Sequence, residues 1–212
     1  MKGNDLIELA RKKEREKEYD EAINLFKEAF EQDPKNFFLQ IELGNVFALC
    51  NKFEEAAGCF RRANRRFPDN EDIKVGLGFC LSQIGNKYHA HRNFSMAQAA
   101  FEEATFFCPQ DASHFYNLGN AHYAQSNFQM ALESFEQSSS LVSDSDTYHN
   151  IGNTLKKIND FTNAKINYKL ALDLKETQIH TIVELIQLKQ NTCDWDDISE
   201  LIRKLKANVA NQ

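Results

Sequence analysis

The sequence contains few of the residues that interrupt helices: three prolines and eight glycines among 212 residues. Because both residues disfavour helix interiors, their scarcity is typical of a largely helical protein and argues against a sheet-rich fold. Long apolar runs are also missing, and the first twenty residues hold no apolar segment of signal-peptide length. With 42% hydrophobic and 26% charged residues, the chain has the composition of a protein that folds in water, and we expect no membrane partner.

An excess of positive charge is missing as well. The formal net charge of -6 gives no electrostatic reason to expect a nucleic acid or an anionic lipid as partner. The five cysteines are odd in number and include no Cys-x-x-Cys pair, which excludes an evident disulfide framework or zinc ribbon and favours a cytoplasmic setting, or a nuclear one in a eukaryote. His89 and His91 have no acid or thiol close by in the sequence, so we expect neither a metal nor another cofactor.

What the chain does have is a repeat. Five segments begin with an aromatic residue, place alanine three residues later and a second aromatic seven residues after the first. The first aromatic residues are Tyr19, Phe53, Phe94, Phe128 and Phe161. The alanines are Ala22, Ala56, Ala97, Ala131 and Ala164. The second aromatic residues are Phe26, Phe60, Phe101, Phe135 and Tyr168. Upstream of four of them lies a second pattern with a small residue at Gly44, Gly78, Gly119 or Gly152, and Ala10 takes that place in the first. The three- and four-residue spacing of apolar positions predicts that each unit is a pair of antiparallel helices.

These residues, at a usual spacing of 34, resemble the tetratricopeptide repeat. The resemblance implies an all-α fold, a right-handed α-solenoid of helix-turn-helix repeats, and a role in binding a protein or peptide rather than in catalysis. It covers residues 3–178 as five repeats, at 3–36, 37–70, 71–111, 112–144 and 145–178. Whether the chain also forms a homo-oligomer through a repeat surface stays open.

The spacing departs from 34 residues twice. From Ala131 to Ala164 it is one residue short, in a serine-rich turn, and from Ala56 to Ala97 it is seven residues too long. We place the seven-residue insert in residues 85–93, after Gly85, which would cap the first helix of the third repeat. Because seven residues make about two helical turns, the insert would extend the following helix at its N-terminal end without rotating its buried face.

The register extends into residues 179–212, where Trp195 falls 34 residues after Phe161. This segment is predicted to be a degenerate sixth helical pair that ends the stack, with helices at 179–191 and 195–207. In this interpretation Asp194 is the N-cap of the last helix and Trp195 is buried. Cys193 is then a residue of the helix terminus rather than a reactive thiol.

The segment Val183–Leu205, with its Cys-Asp-Trp core, also resembles the junction between repeats and catalytic region in O-GlcNAc transferase-like glycosyltransferases. This second resemblance implies that the chain is the substrate-recognition arm of an enzyme whose catalytic domain lies outside these residues. The alternative is a standalone adaptor or assembly scaffold with no enzyme attached.

In tetratricopeptide proteins the first helices of the repeats line an inner groove, which implies a binding surface here. The predicted groove residues are Glu42, Asn45, Tyr116, Asn117, Asn120, Tyr123, His149, Asn150, Asn153 and Lys156. Asn117 and Asn150 match the asparagine ladder of the O-GlcNAc transferase repeats, and amide side chains can hold a peptide backbone with little regard to its sequence. For each asparagine, a merely solvated polar residue remains the alternative.

Another subclass of these repeats clamps the C-terminal carboxylate of chaperone tails with lysines and an arginine. In this sequence Tyr116 stands where the first lysine is expected, and His180 and Glu184 occupy later basic positions. Because a carboxylate needs fixed cationic partners, binding of chaperone tails is disfavoured.

Overall fold

The computed structural model describes residues 2–210, and within them the chain forms twelve α-helices and no strand. The helices are α1 Gly3–Arg15, α2 Tyr19–Gln32, α3 Phe38–Leu49, α4 Phe53–Arg66, α5 Glu71–Ala90, α6 Phe94–Phe107, α7 Ala112–Ala124, α8 Phe128–Leu141, α9 Ser145–Lys157, α10 Phe161–Leu174, α11 Ile179–Asn191 and α12 Ile198–Ala210. The predicted all-α class is confirmed for this part of the chain. From α1 to α6 and again from α7 to α12, helices that follow one another in sequence pack together, as in an α-solenoid.

The chain divides into two compact units, Met1–Pro109 and Gln110–Gln212, which we call unit 1 and unit 2. Unit 1 contains α1 to α6 and unit 2 contains α7 to α12. Each unit has its own apolar core, built from the alanines and aromatic rings of the repeat pattern.

Close packing of a glycine against an aromatic ring recurs in both units. In unit 2, a Cβ atom added at Gly152 would lie 2.6 Å from a ring carbon of Tyr168. In unit 1 the Phe60 ring is held between two glycines, and added Cβ atoms would lie 2.9 Å from it at Gly44 and 2.8 Å at Gly76. Only a residue without a side chain lets the first helix come this close to the ring, which explains the glycines in the pattern.

The seven extra residues of the third repeat lie elsewhere than predicted. Gly85 does not cap a helix: α5 continues through it to Ala90, and an added Cβ there would lie 2.5 Å from the Phe101 ring. Gly85 therefore occupies the glycine position assigned to Gly78. The tripeptide Ile84-Gly85-Asn86 repeats the Leu/Ile-Gly-Asn sequence that starts at Leu43, Leu118 and Ile151.

The insert consequently lengthens the first helix of the pair at its N-terminal end. Helix α5 has 20 residues, whereas α3, α7 and α9 have 12 or 13, and α6 has the ordinary length of 14. The prediction that the insert extends the second helix was wrong because it took Gly78 for the packing glycine. The expected length of about two turns was right.

A residue with left-handed backbone conformation stands in the turn inside every helical pair. These residues are Lys17, Asn51, Arg92, Ser126, Asn159 and Cys193, with φ between 52° and 63°. After each of them, the next backbone N–H donates to a carbonyl five residues earlier, as Asp194 does to Lys189 and Asp160 to Leu155. Cys193 thus belongs to a series of six turn residues, in agreement with its predicted role at a helix terminus.

The last pair differs from the others at the start of its second helix. Helix α11 has the predicted bounds, but α12 begins at Ile198 rather than at residue 195. The Asp194 carboxylate does not cap α12, because it lies 2.9 Å from both Lys165 Nζ and Lys189 Nζ. Asp197 adds a second left-handed residue, with φ of 56°, before the helix starts.

Trp195 is therefore not buried, as was predicted, but 66% exposed. Asp194, the residue before it, forms ion pairs with Lys165 of α10 and Lys189 of α11, and Trp195 itself lies outside α12, which begins at Ile198. Ile198 and Leu201 supply the buried apolar contacts of α12 instead. The last two residues of the predicted sixth unit, 211 and 212, lie outside the described part of the chain.

Candidate functional site

The first helices of unit 2 carry a row of polar side chains. Helix α7 contributes Tyr116, Asn117, Asn120 and Tyr123, and α9 contributes His149, Asn150, Asn153 and Lys156. All eight are partly buried. The structure thus brings together eight of the ten predicted groove residues within one unit.

Asn150 joins the two helices. Its side-chain Nδ2 donates to the Tyr116 hydroxyl at 3.2 Å and to Asn120 Oδ1 at 3.2 Å. The Tyr116 ring in turn packs against Phe135 with the ring centroids 5.9 Å apart, which anchors one end of the arrangement in the core. The position of the Asn150 amide is therefore fixed by a neighbouring repeat rather than left to solvent.

A second chain of hydrogen bonds runs from the core to α11. Tyr168 donates its hydroxyl proton to Asn153 Oδ1 at 2.7 Å, and Asn153 Nδ2 lies 2.9 Å from His149 Nε2. Since Asn153 donates to Nε2, the proton of the neutral imidazole belongs on Nδ1, which lies 2.8 Å from Thr181 Oγ1. Thr181 donates onward to Gln178 Oε1 at 2.7 Å.

Burial favours the neutral form of His149. Loss of solvent lowers the pKa of its imidazole below the ordinary value of 6.5, although Glu184 and Asp146 act in the opposite direction. The neutral ring is also the form that the hydrogen bond from Asn153 requires. His149 is therefore a neutral hydrogen-bonding residue of this network at pH 7.

An ion pair between Lys156 and Glu184 links α9 to α11. The Glu184 charge also lies near Tyr123, where burial and this carboxylate together raise the pKa of the phenol above 10. Lys156 is thus engaged by an internal acid, and Tyr123 stays protonated as a neutral donor.

The two predicted residues in unit 1 have different surroundings. Glu42 accepts hydrogen bonds from Arg11 of α1 at 3.1 Å and 2.5 Å, and Asn45 is exposed. The first helices of this unit also present large apolar side chains that are between 49% and 63% exposed, namely Phe38, Leu49, Val75 and Phe79. Sequence reasoning did not assign Leu49, Val75 and Phe79 to a surface. The positions of Val75 and Phe79 were obscured because the third repeat was aligned on Gly78 instead of Gly85.

No group of three or more His, Cys, Asp or Glu side chains able to hold a metal ion occurs in residues 2–210. Within the same range, no helix has the length and hydropathy needed to cross a membrane. Cys59 and Cys80 are buried, and loss of solvent raises the pKa of both thiols, to about 12 for Cys80. Such thiols are poor nucleophiles because the thiolate is the reactive form.

Three family models described as tetratricopeptide repeat match residues 15–63, 82–139 and 145–178, which together make up more than half of the chain. No curated relative matches the sequence.

Several solved structures share the fold. One is described as YrrB, a TPR protein with an unusual peptide-binding site; it is 16% identical, with a TM-score of 0.64 over 86% of this chain and 91% of that one. MamA from Desulfovibrio magneticus RS-1 is 16% identical, with a TM-score of 0.57 over 83% and 96%. The first TPR of Spaghetti (RPAP3), bound to the HSP90 peptide SRMEEVD, is 20% identical, with a TM-score of 0.54 over 55% and 93%.

Proposed function

Since the chain belongs to the tetratricopeptide repeat proteins, we propose that it is an interaction module and that unit 2 binds an extended segment of a partner protein. The binding surface is the polar row on α7 and α9 with its continuation on α11. The observation that carries the proposal is the hydrogen-bonded arrangement around Asn150, which joins Tyr116 and Asn120 of the neighbouring repeat.

The chemistry of this row suits a peptide backbone. An amide side chain donates and accepts at once, as each peptide unit does, so an asparagine can bind main-chain groups whatever the ligand's sequence. Asn117 and Asn150 both directly precede the apolar residue and glycine of their repeat, which places them at the same position on adjacent first helices. Because the side chains are already ordered by one another, less conformational entropy is lost when a ligand binds.

The proposed ligand is an internal segment rather than an acidic C-terminal tail. The first TPR of Spaghetti (RPAP3) is bound to the HSP90 peptide SRMEEVD, but recognition of a C-terminal carboxylate requires cations that are free to pair with it. In this chain Lys156 is paired with Glu184, and the Tyr116 hydroxyl, which supplies no cation, accepts a hydrogen bond from Asn150. Glu42 and Asn45 belong to unit 1 and are proposed as contacts of a separate surface.

Our narrower proposal is that this module is the substrate-recognition arm of an O-GlcNAc transferase-like glycosyltransferase. Support comes from the Cys-Asp-Trp sequence between α11 and α12 and from the asparagines at 117 and 150. The coding sequence after Gln212 tests it. A sugar-nucleotide-binding region would support the proposal, whereas a stop codon would leave a standalone adaptor or scaffold.

Peptide binding is tested with an array of proteome-derived peptides followed by titration of the best ligand. We expect the double variant Asn117→Ala/Asn150→Ala to weaken binding by about tenfold or more, since two hydrogen bonds to the ligand are lost. Asn167→Ala is the matched control, because Asn167 lies on the second helix α10 and its side chain donates to the Asn163 carbonyl of the same helix. Equal affinity of the wild type and the double variant would exclude this surface.

A further inference from the structure

The hydrogen bonds that run from His149 to α11 end at a carboxylate. Gln178 accepts from Thr181 through Oε1 and donates through Nε2 to Asp146 Oδ1. Because a carboxylate only accepts, the Gln178 amide cannot turn round without placing its oxygen against Asp146. Its Oε1 also lies 2.7 Å from the Ser145 hydroxyl, a second donor. The direction of the Gln178 amide is therefore fixed.

This direction determines which nitrogen of His149 carries the proton. Thr181 Oγ1 and Gln178 Oε1 lie 2.7 Å apart, and the proton between them comes from the threonine because the amide oxygen has none. With its one proton used, Thr181 accepts from Nδ1 of His149 at 2.8 Å. Nε2 of the neutral ring is then free of a proton and accepts from Asn153. A second proton on the ring has to bind at Nε2, which faces Asn153.

A proton at Nε2 requires the Asn153 amide to reverse. Without reversal, an N–H of the ring would face Asn153 Nδ2 at 2.9 Å, donor against donor. In the neutral state the amide gives one N–H to His149 and one oxygen lone pair to the Tyr168 hydroxyl, which leaves one N–H and one lone pair for a ligand. Reversal exchanges these two positions, so a peptide group held by Asn153 would meet the wrong partner at both.

We propose that His149 controls peptide binding by unit 2 through the direction of the Asn153 amide: the ligand binds while the ring is neutral and is released in acid. His149 is thus a positioning residue for the peptide-binding function proposed above, on which its role depends.

The groups around His149 set the pH at which the change occurs. Burial opposes the charged ring most strongly and keeps its pKa below 6.5; Lys156 and His180 act in the same direction, whereas Glu184 and Asp146 favour the charged form. Binding should therefore be complete above the pKa of His149 in the folded protein and be lost as the pH falls through it.

The Tyr168 hydroxyl also opposes the charged ring. Tyr168 is fully buried and donates to Asn153 Oδ1. After reversal of the amide, the hydroxyl would face Nδ2 and its proton would lose this acceptor. Tyr168→Phe removes that cost, so the pKa of His149 should rise. Burial alone predicts the opposite, because the variant makes the surroundings of the ring less polar.

The first test is the dissociation constant of the best peptide from the array, measured from about pH 8 to about pH 5. We expect a constant value at high pH and a rise of up to about tenfold per pH unit below the pKa of His149. His149→Gln should abolish the rise. His180→Gln is the matched control and should keep it, because His180 is an exposed histidine that takes no part in these hydrogen bonds. Circular dichroism at each pH checks that the helices remain.

The second test needs no ligand. Nuclear magnetic resonance of the imidazole nitrogens should show the proton of the neutral ring on Nδ1 in the wild type, and a higher pKa of His149 in Tyr168→Phe. A proton on Nε2 of the neutral ring, a pKa that is unchanged or lower in Tyr168→Phe, or a pH-dependent affinity that survives in His149→Gln would overturn the proposal. If no peptide binds at any pH, the proposed function fails, and the effect of Tyr168→Phe still confirms or overturns the link between His149 and Asn153.

Discussion

The exposed sides of the first helices differ between the two units although the same repeat builds both. In unit 1 they present Phe38, Leu49, Val75 and Phe79, whereas the matching side of unit 2 is a network centred on Asn150 and His149. The cores beneath are alike, with a glycine against an aromatic ring in each. The repeat therefore fixes how helices pack and leaves the chemistry of the first-helix side free to vary.

The largest effect should come from the shared packing and should be the same in both units. Gly85→Ala in unit 1 and Gly152→Ala in unit 2 each place a methyl group within 2.6 Å of ring carbons, so each should lower the free energy of unfolding by about 1–3 kcal/mol. Hydrogen exchange measured by mass spectrometry shows in which unit the free energy of unfolding has fallen.

Gly58→Ala is the control for these two substitutions. The added Cβ would lie 3.7 Å from Arg62 and meet no ring, so helix propensity should dominate and stabilise the protein by about 0.5–1 kcal/mol. If Gly85→Ala destabilised the protein and Gly152→Ala did not, the cores of the two units would not be equivalent.

Lowering the pH should destabilise unit 2 more than unit 1. Burial lowers the pKa values of His114 and His149, both in unit 2, so the unfolded chain binds their protons more readily than the folded chain does. The stability that they contribute is present above the unfolded pKa near 6.5 and is lost as pH falls below it, by at most about 1.4 kcal/mol per pH unit for each histidine.

We expect the hydrogen-exchange protection factors of unit 2, which are corrected for the intrinsic pH dependence of amide exchange, to fall between pH 7 and pH 5. In a His149→Gln variant, which keeps a hydrogen-bonding side chain but cannot titrate, this loss of protection should be smaller. A pH response of unit 2 that is identical in the variant would rule out His149 as its source.

A smaller effect should come from the one ring hydroxyl in this packing position. Tyr168 donates to Asn153, whereas Phe60, Phe101 and Phe135 hold the same place without a hydroxyl. Tyr168→Phe should cost about 1 kcal/mol in chemical denaturation. In a double-mutant cycle with Asn153→Ala the two losses should not add, and strict additivity would mean that the bond contributes nothing.

The smallest effect should be found in the turns. Arg92→Gly removes the unfavourable left-handed conformation of a long side chain but adds freedom to the unfolded chain, so the net gain should be only about 0.5 kcal/mol. Asn159→Gly should change stability less, since asparagine tolerates this conformation well. Thermal unfolding of the two variants gives the comparison, and a larger gain at Asn159 would contradict it.

The fold was predictable because the same residue types recur at each packing position in several repeats. Ala56 or Phe60 alone would be uninformative, but at a 34-residue spacing they indicate helical pairs. The prediction failed in two kinds of place. One is where the pattern allowed two equally good registers, and the other is where an ion pair changed the local structure that the pattern predicts. Leu77-Gly78 and Ile84-Gly85 both satisfy the apolar-glycine rule, and only the distance to Phe101 decides between them.

The candidate site was predictable as a set of positions but not as a network. Spacing places Asn150 and Tyr116 on adjacent first helices, yet the direction of each amide depends on side-chain geometry that no periodicity contains. Asp194 shows the same limit. Its position matched Asn93 and Asp160, which do cap their helices, but Lys165 and Lys189 compete for its carboxylate.

The left-handed turn at Cys193 has a practical consequence for labelling. All five cysteines lie in the described part of the chain, and among them Cys193 is the exposed one. Its backbone is held by the bond from the Asp194 N–H to the Lys189 carbonyl at 2.9 Å, so a dye or spin label attached to its sulfur would start from a fixed point. Because the other five turns place Lys17, Asn51, Arg92, Ser126 and Asn159 in the same conformation, a cysteine introduced at one of them would have a matching attachment geometry. Distances measured between pairs of such labels would report on the spacing of the repeats along the chain.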